Sequence, residues 1–163
     1  MADQTEMDVR IECFAKPLQM VGVEHRGPYM EIGVAFEKLN GWMMEQQVWP
    51  HLKAVIGIYH DDPCSVAPES LRSHACAALK EGHDLQMPED FEQLSADAGR
   101  YAVLRFKGPY AGLQQAYRWF YGVWLPQSGE ELANRPCFED YLNNPREVAP
   151  EELLTDIYMP LAK

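Results

Sequence analysis

The chain has 163 residues, 47% of them hydrophobic, and a formal net charge of −11. That length suits one domain or two small halves sharing a core, and the apolar fraction excludes a disordered chain. So acidic a surface, with no basic stripe, argues against direct binding to nucleic acid or anionic membrane.

The opening decapeptide MADQTEMDVR has neither the basic nor the apolar region of a secretory signal. No apolar run approaches the roughly 18 residues of a membrane helix. Cys13, Cys64, Cys76 and Cys137 are dispersed and form no C-x-x-C pair. A soluble cytoplasmic protein with reduced thiols is expected.

Along the chain, VRIECF and QMVGVEH alternate as half-buried strands do. Gly27-Pro28 then stops the second strand, because proline has no ladder donor. Ile32, Phe36, Leu39 and Met43 follow at the spacing of one helical face. VIGIYH reads as a third strand, Asp61-Asp62-Pro63 as a turn, and RSHACAAL as a fourth strand after a proline-bearing loop. KEGHDLQMPED is a connector. The pattern then returns: RYAVLRF, Gly108-Pro109, a helical face of Leu113, Tyr117, Phe120 and Trp124, the strand CFEDYL, the turn Asn143-Asn144-Pro145, and LTDIYMPL.

The return is an internal duplication. VGVEHRGPY (21–29) aligns with AVLRFKGPY (102–110) at an offset of 81, and IYHDDPCSVAPESL (58–71) aligns with DYLNNPREVAPEEL (140–153) at an offset of 82. The expected fold is α+β: a strand-strand-helix-strand-strand unit written twice, with antiparallel sheets and two long helices. The repeats span about 8–80 and about 90–161 of a single domain, 1–163, related by a pseudo-twofold axis. One helix on four strands covers little surface, so the copies should pack together, and their seam is a natural ligand cleft.

The copies differ sharply before a shared tyrosine. The first reads Gly57-Ile58-Tyr59 and the second Glu139-Asp140-Tyr141. Strand alternation places Glu139 and Tyr141 on one face and Phe138, Asp140 and Leu142 on the other. If the first face is inward, a carboxylate and a phenol stand in an aromatic cavity with Tyr59, Trp124, Tyr117 and Tyr110. If the second is inward, Glu139 points to water. Inward, Glu139 would suit flat or cationic hydrophobes through stacking and cation–π contact. The histidines at 25, 51, 60, 74 and 83 are too scattered for a metal site, no cofactor motif is present, and Cys137 reads as strand-edge packing. Trp42, Met43 and Met44 read as core.

RPCFEDYLNNPREVAPEELLTDIYMPL, with GIYHDDPCSVAPESLR and GVWLPQSGEELANRPCFEDYLNNP, resembles the GyrI-like small-molecule-binding family. That family includes DNA gyrase inhibitor proteins and the effector-binding domains of AraC-type and MerR-type regulators. The likeness runs from about Val9 to Leu161. It implies a central ligand cleft, with a buried glutamate at the position of Glu139, the motif tyrosine at Tyr141, and the tryptophan of a Trp-Leu-Pro-x-Ser-Gly segment at Trp124. His74 departs from the family, whose members often carry aspartate there. With no DNA-binding module before the first strand, the resemblance implies a stand-alone binder that senses or sequesters hydrophobic, aromatic or cationic xenobiotics, as multidrug-binding relatives do. Two alternatives follow from it: a hydrolase opening cyclopropane rings of DNA-alkylating compounds, with Glu139 and Tyr141 catalytic, and a DNA gyrase inhibitor acting by protein–protein contact.

Overall fold

The computed structural model describes residues 8–162. Eight strands form one antiparallel sheet: β1 (Asp8–Phe14), β2 (Leu18–Arg26), β3 (Leu52–Tyr59), β4 (Arg72–Leu79), β5 (Glu92–Ala96), β6 (Gly99–Lys107), β7 (Cys137–Tyr141) and β8 (Leu154–Pro160). Helix α1 (Gly33–Gln46) joins β2 to β3. Its counterpart joins β6 to β7 as α2 (Leu113–Trp119), a π-helical turn (Phe120–Trp124) and α3 (Leu125–Ser128). No helix among the described residues is long and apolar enough to cross a membrane.

The strand order is β1-β6-β8-β7-β3-β4-β2-β5. Exchanging the two copies reads the same order backwards, so the pseudo-twofold axis passes between β7 and β3. Each copy gives its first strand to the other: β1 pairs with β6, and β5 with β2. The copies therefore merge edge to edge through this exchange and do not stack as separate sheets.

Chain connectivity then forces the sheet to curl. β1 lies at one edge and β2 next to the other, yet only residues 15–17 link them; residues 97–98 link β5 to β6 across the same gap. Two or three residues reach about 7–11 Å, far less than the width of a flat eight-stranded sheet at about 4.8 Å per strand. The curl buries the face without helices: Met20, Ile56, Ile58, Cys76, Tyr101, Val103, Phe138 and Tyr158 form one cluster there. Phe138 and Tyr158 stack with centroids 4.6 Å apart.

The other face carries the helices. Ala35, Leu39, Trp42 and Met43 of α1 pack on Val21, Val23, Ala75 and Ala77. Ala116 and Phe120 pack on Ala102, Leu104, Ile157 and Met159. Trp42 and Met43 are core as the helical spacing predicts, but Met44 is 66% exposed, because it lies one residue round from the buried face.

The change of repeat offset from 81 to 82 has a structural cause. Gln47, in the left-handed cap of α1, corresponds to Gly129 after α3 at an offset of 82, while the 3-10 turns that lead into the helices, beginning at Tyr29 and Tyr110, correspond at 81. The extra residue is taken up inside the second helix, where the Phe120–Trp124 turn is π-helical. An i→i+5 turn holds one residue more than an α turn, and such turns recur at functional sites.

Asp140 faces Asp156 on the curled side of the sheet. Burial first, and the Asp156 charge second, raise its carboxyl to about 6. A raised acid favours folding below its unfolded value and loses that contribution as pH climbs through the folded one. Asp140→Asn should therefore stabilise the protein by about 1–2 kcal/mol at pH 8, after allowance for partial exposure. The gain should vanish near pH 3.5, as urea melts at the two pH values would show.

Candidate functional site

At the centre of the sheet Gly57 of β3 stands opposite Glu139 of β7. These positions are 82 residues apart and are each other's counterparts, so the axis runs between them. Two equivalent side chains would compete for one space there. The sequence gives the space to one carboxylate and puts no side chain opposite. A Cβ on Gly57 would lie 2.6 Å from Tyr141 Oη and 2.9 Å from Tyr59 Oη, so glycine makes the notch in which those hydroxyls meet.

Alternation turns Tyr59, Cys137, Glu139 and Tyr141 toward the helices. The carboxylate is 5% exposed. Tyr117 of α2 donates to its Oε2 at 2.6 Å, and Tyr141 donates to its Oε1 at 2.7 Å. The Tyr59 and Tyr141 hydroxyls, related by the axis, lie 2.7 Å apart. The rings around this knot are half-buried. Phe36 of α1 meets the Tyr141 ring edge-on at 5.5 Å, Tyr110 meets it at 5.7 Å, and Tyr29 meets Tyr59 at 4.9 Å.

Burial pushes the Glu139 carboxyl above its ordinary value, and the hydroxyls of Tyr117, Tyr141 and Tyr59 pull it part of the way back. Burial, with the Glu139 charge second, drives Tyr59, Tyr117 and Tyr141 well above the usual phenol range. They are neutral O–H donors at physiological pH. Among the described residues no arginine, lysine or histidine pairs with Glu139, and its charge is met by phenol dipoles. An ionised carboxylate under 10% exposed without a cation is costly to keep.

The structure thus brings Glu139, Tyr141, Tyr59 and Tyr117 into one hydrogen-bonded knot and sets Tyr110 against its edge. Tyr110 is 38% exposed and its hydroxyl makes no hydrogen bond among the described residues, whereas its counterpart Tyr29 is tied to the Asp61 backbone. Trp124 is outside the knot: it packs on Phe120 at 5.5 Å, on the helix flank. Cys137, read from sequence as edge packing, instead lies on the Glu139 face beside Tyr121 and Tyr117, and burial lifts its thiol to about 11. Its place two residues before Glu139 was the signal for this. Tyr121, four residues after Tyr117 and so on the same helical face, stacks on it at 6.1 Å.

His74 lies on the opposite face of the sheet, bonded to His60 at 2.8 Å and Glu92 at 2.7 Å, and does not reach the knot. It corresponds to Asp156 of the second copy, which binds Arg10 and Arg105. A carboxylate held by two arginines in the second copy is thus replaced in the first by an imidazole held by a histidine and a carboxylate.

The model of the GyrI-like small molecule binding domain matches residues 7–162. The probable transcriptional regulator YgiV of Escherichia coli strain K12 is 30% identical over 161 residues, covering 96% of this chain and 97% of that protein. A DNA gyrase inhibitor of Serratia proteamaculans strain 568 is 32% identical over 143 residues, covering 85% and 88%. Among solved structures, EcmrR in its complex with DNA superposes with a TM-score of 0.74 at 17% identity; 96% of this chain matches, spanning 58% of that one. SAV2435 bound to tetraphenylphosphonium superposes with a TM-score of 0.68 at 13% identity, over 95% and 94% of the two chains. The duplicated fold, the axial carboxylate and the match over nearly every described residue lead to one conclusion: this chain belongs to the GyrI-like small molecule binding domain family.

Proposed function

We propose that the protein binds hydrophobic, aromatic organic cations beside the Glu139 knot, on the helix-bearing face of β3 and β7, and that it serves to sense or sequester them in the cytoplasm. One observation carries this reading: Glu139 is a buried acid with phenol donors and, among the described residues, no cationic partner, at the foot of partly exposed aromatic rings. A ligand cation supplies the missing charge, and the faces of Tyr110, Tyr141, Tyr117 and Tyr121 supply cation–π and stacking contact. The solved structure of SAV2435 with tetraphenylphosphonium makes lipophilic cations the natural first probes.

Titration of the wild-type protein with tetraphenylphosphonium should give a saturable change in tryptophan fluorescence, with Trp124 on the flank as reporter. A flat titration, repeated with rhodamine, would remove the cationic-ligand reading. Tyr110, exposed and untethered, is the natural point of entry. Tyr110→Ala should speed association in stopped flow several-fold more than Tyr29→Ala does.

The name of the Serratia relative favours a second reading, contact with DNA gyrase. The net charge of −11 would suit competition with DNA for a basic groove, and a supercoiling assay tests the reading directly. A hydrolase would need Glu139 to exchange a proton with water. In this structure both carboxylate oxygens are held by phenols, so binding is the reading adopted.

A further inference from the structure

Resting on the binding reading above, the proton inventory of the knot narrows the ligand. With Glu139 ionised, the network holds three protons, on Tyr59, Tyr117 and Tyr141, and three contacts to fill: Tyr117 to Oε2, Tyr141 to Oε1, and Tyr59 to Tyr141. Tyr141 has one proton and the carboxylate takes it, so Tyr59 must be the donor in the tyrosine pair. Every proton is used. The lone pairs of the Tyr59 and Tyr117 oxygens are left over, and no free donor remains among these three phenols; the unbonded hydroxyl of Tyr110 stands outside them, at the exposed rim.

We propose that the site selects ligands that bring hydrogen-bond donors, namely protonated aromatic amines, over permanent cations without N–H, and that it rejects ligands offering only acceptors. Charge and aromatic surface alone would rank these ligands differently. A quaternary ammonium is less strongly hydrated than a primary one and leaves water more easily, so an aromatic cation trap without polar direction prefers it. An ammonium that reaches phenol oxygens recovers its lost hydration as hydrogen bonds. A carboxylate in the same place meets lone pairs and the Glu139 charge.

The experiment measures, by calorimetry on the wild-type protein, naphthylmethylammonium, its N-trimethyl counterpart and naphthylacetate, which share one aromatic body. The expected order is ammonium about tenfold tighter than the quaternary ion, with naphthylacetate unbound. Glu139→Gln adds two amide protons to a network whose contacts are already filled, so surplus donors appear. In that variant, with its fold checked by circular dichroism, naphthylacetate binding should emerge. Quaternary binding equal to or tighter than ammonium binding in the wild type would overturn the donor rule and leave the cation reading standing. Failure of all three to bind would overturn both.

Discussion

Glu139→Gln should lower affinity for tetraphenylphosphonium by about 100-fold, or about 2.7 kcal/mol, while the protein remains folded and becomes more resistant to urea at high pH. The two effects have one origin. The carboxylate is a formal charge in a buried, aromatic place, attractive to a cation and expensive in its absence. Its folded value is raised, so the native state holds the proton more tightly than the unfolded chain does. Its contribution to stability is complete below the ordinary carboxylate value near 4.5 and is lost as pH rises through the raised value. The amide variant has no such loss. Its advantage over wild type should be absent at pH 4 and grow toward pH 8. Wild-type affinity retained by the variant would show that the ligand does not use this carboxylate. A variant less stable than wild type at every pH would show that the phenol donors outweigh the cost of burial.

Much of this architecture was legible because the chain writes it twice. The segment RSHACAAL coincides with β4, Arg72–Leu79, residue for residue. Strand β5 leaves little trace in the sequence, because Glu92-Gln93-Leu94-Ser95-Ala96 is a short, largely polar edge strand with little alternation. Local pattern placed Glu139 and Tyr141 on one face of a strand but left open which face was inward. The structure resolves this through two non-local facts, the pairing of β3 with β7 at the axis and the packing of Tyr117 over it. Neither is encoded in a window of a few residues. The π turn is an intermediate case: its trace is the step from 81 to 82 in the repeat spacing, visible in sequence but interpretable only once the helix is seen to absorb it.

Gly57→Glu should be the most damaging substitution at the site, costing about 4 kcal/mol or more. It makes the two copies identical at this position, and that is why it fails. The new Cβ would sit 2.6 Å from one tyrosine hydroxyl and 2.9 Å from the other, displacing the pair that caps Glu139. The new carboxylate would face Glu139 across the axis, where two like charges cannot both stay ionised without water. The cost should therefore grow with pH, and removing the opposing acid should relieve it. In Gly57→Glu/Glu139→Gly the carboxylate arrives from the first copy, two residues before Tyr59. That swap is one phenol short. The counterpart of Tyr117, 81 residues earlier, is Phe36, which already touches Tyr141 but has no hydroxyl. Adding Phe36→Tyr and Tyr117→Phe should recover most of the lost stability and return cation binding, with the site rebuilt from the other side of the twofold axis. If Gly57→Glu melted like wild type, Gly57 and Glu139 would not share the axis. If the fourfold variant stayed as weak as the double, the second phenol would not be what makes a buried acid tolerable here. The lopsided site is thus a consequence of the fold's own symmetry: on a twofold axis there is room for one acid and one set of donors.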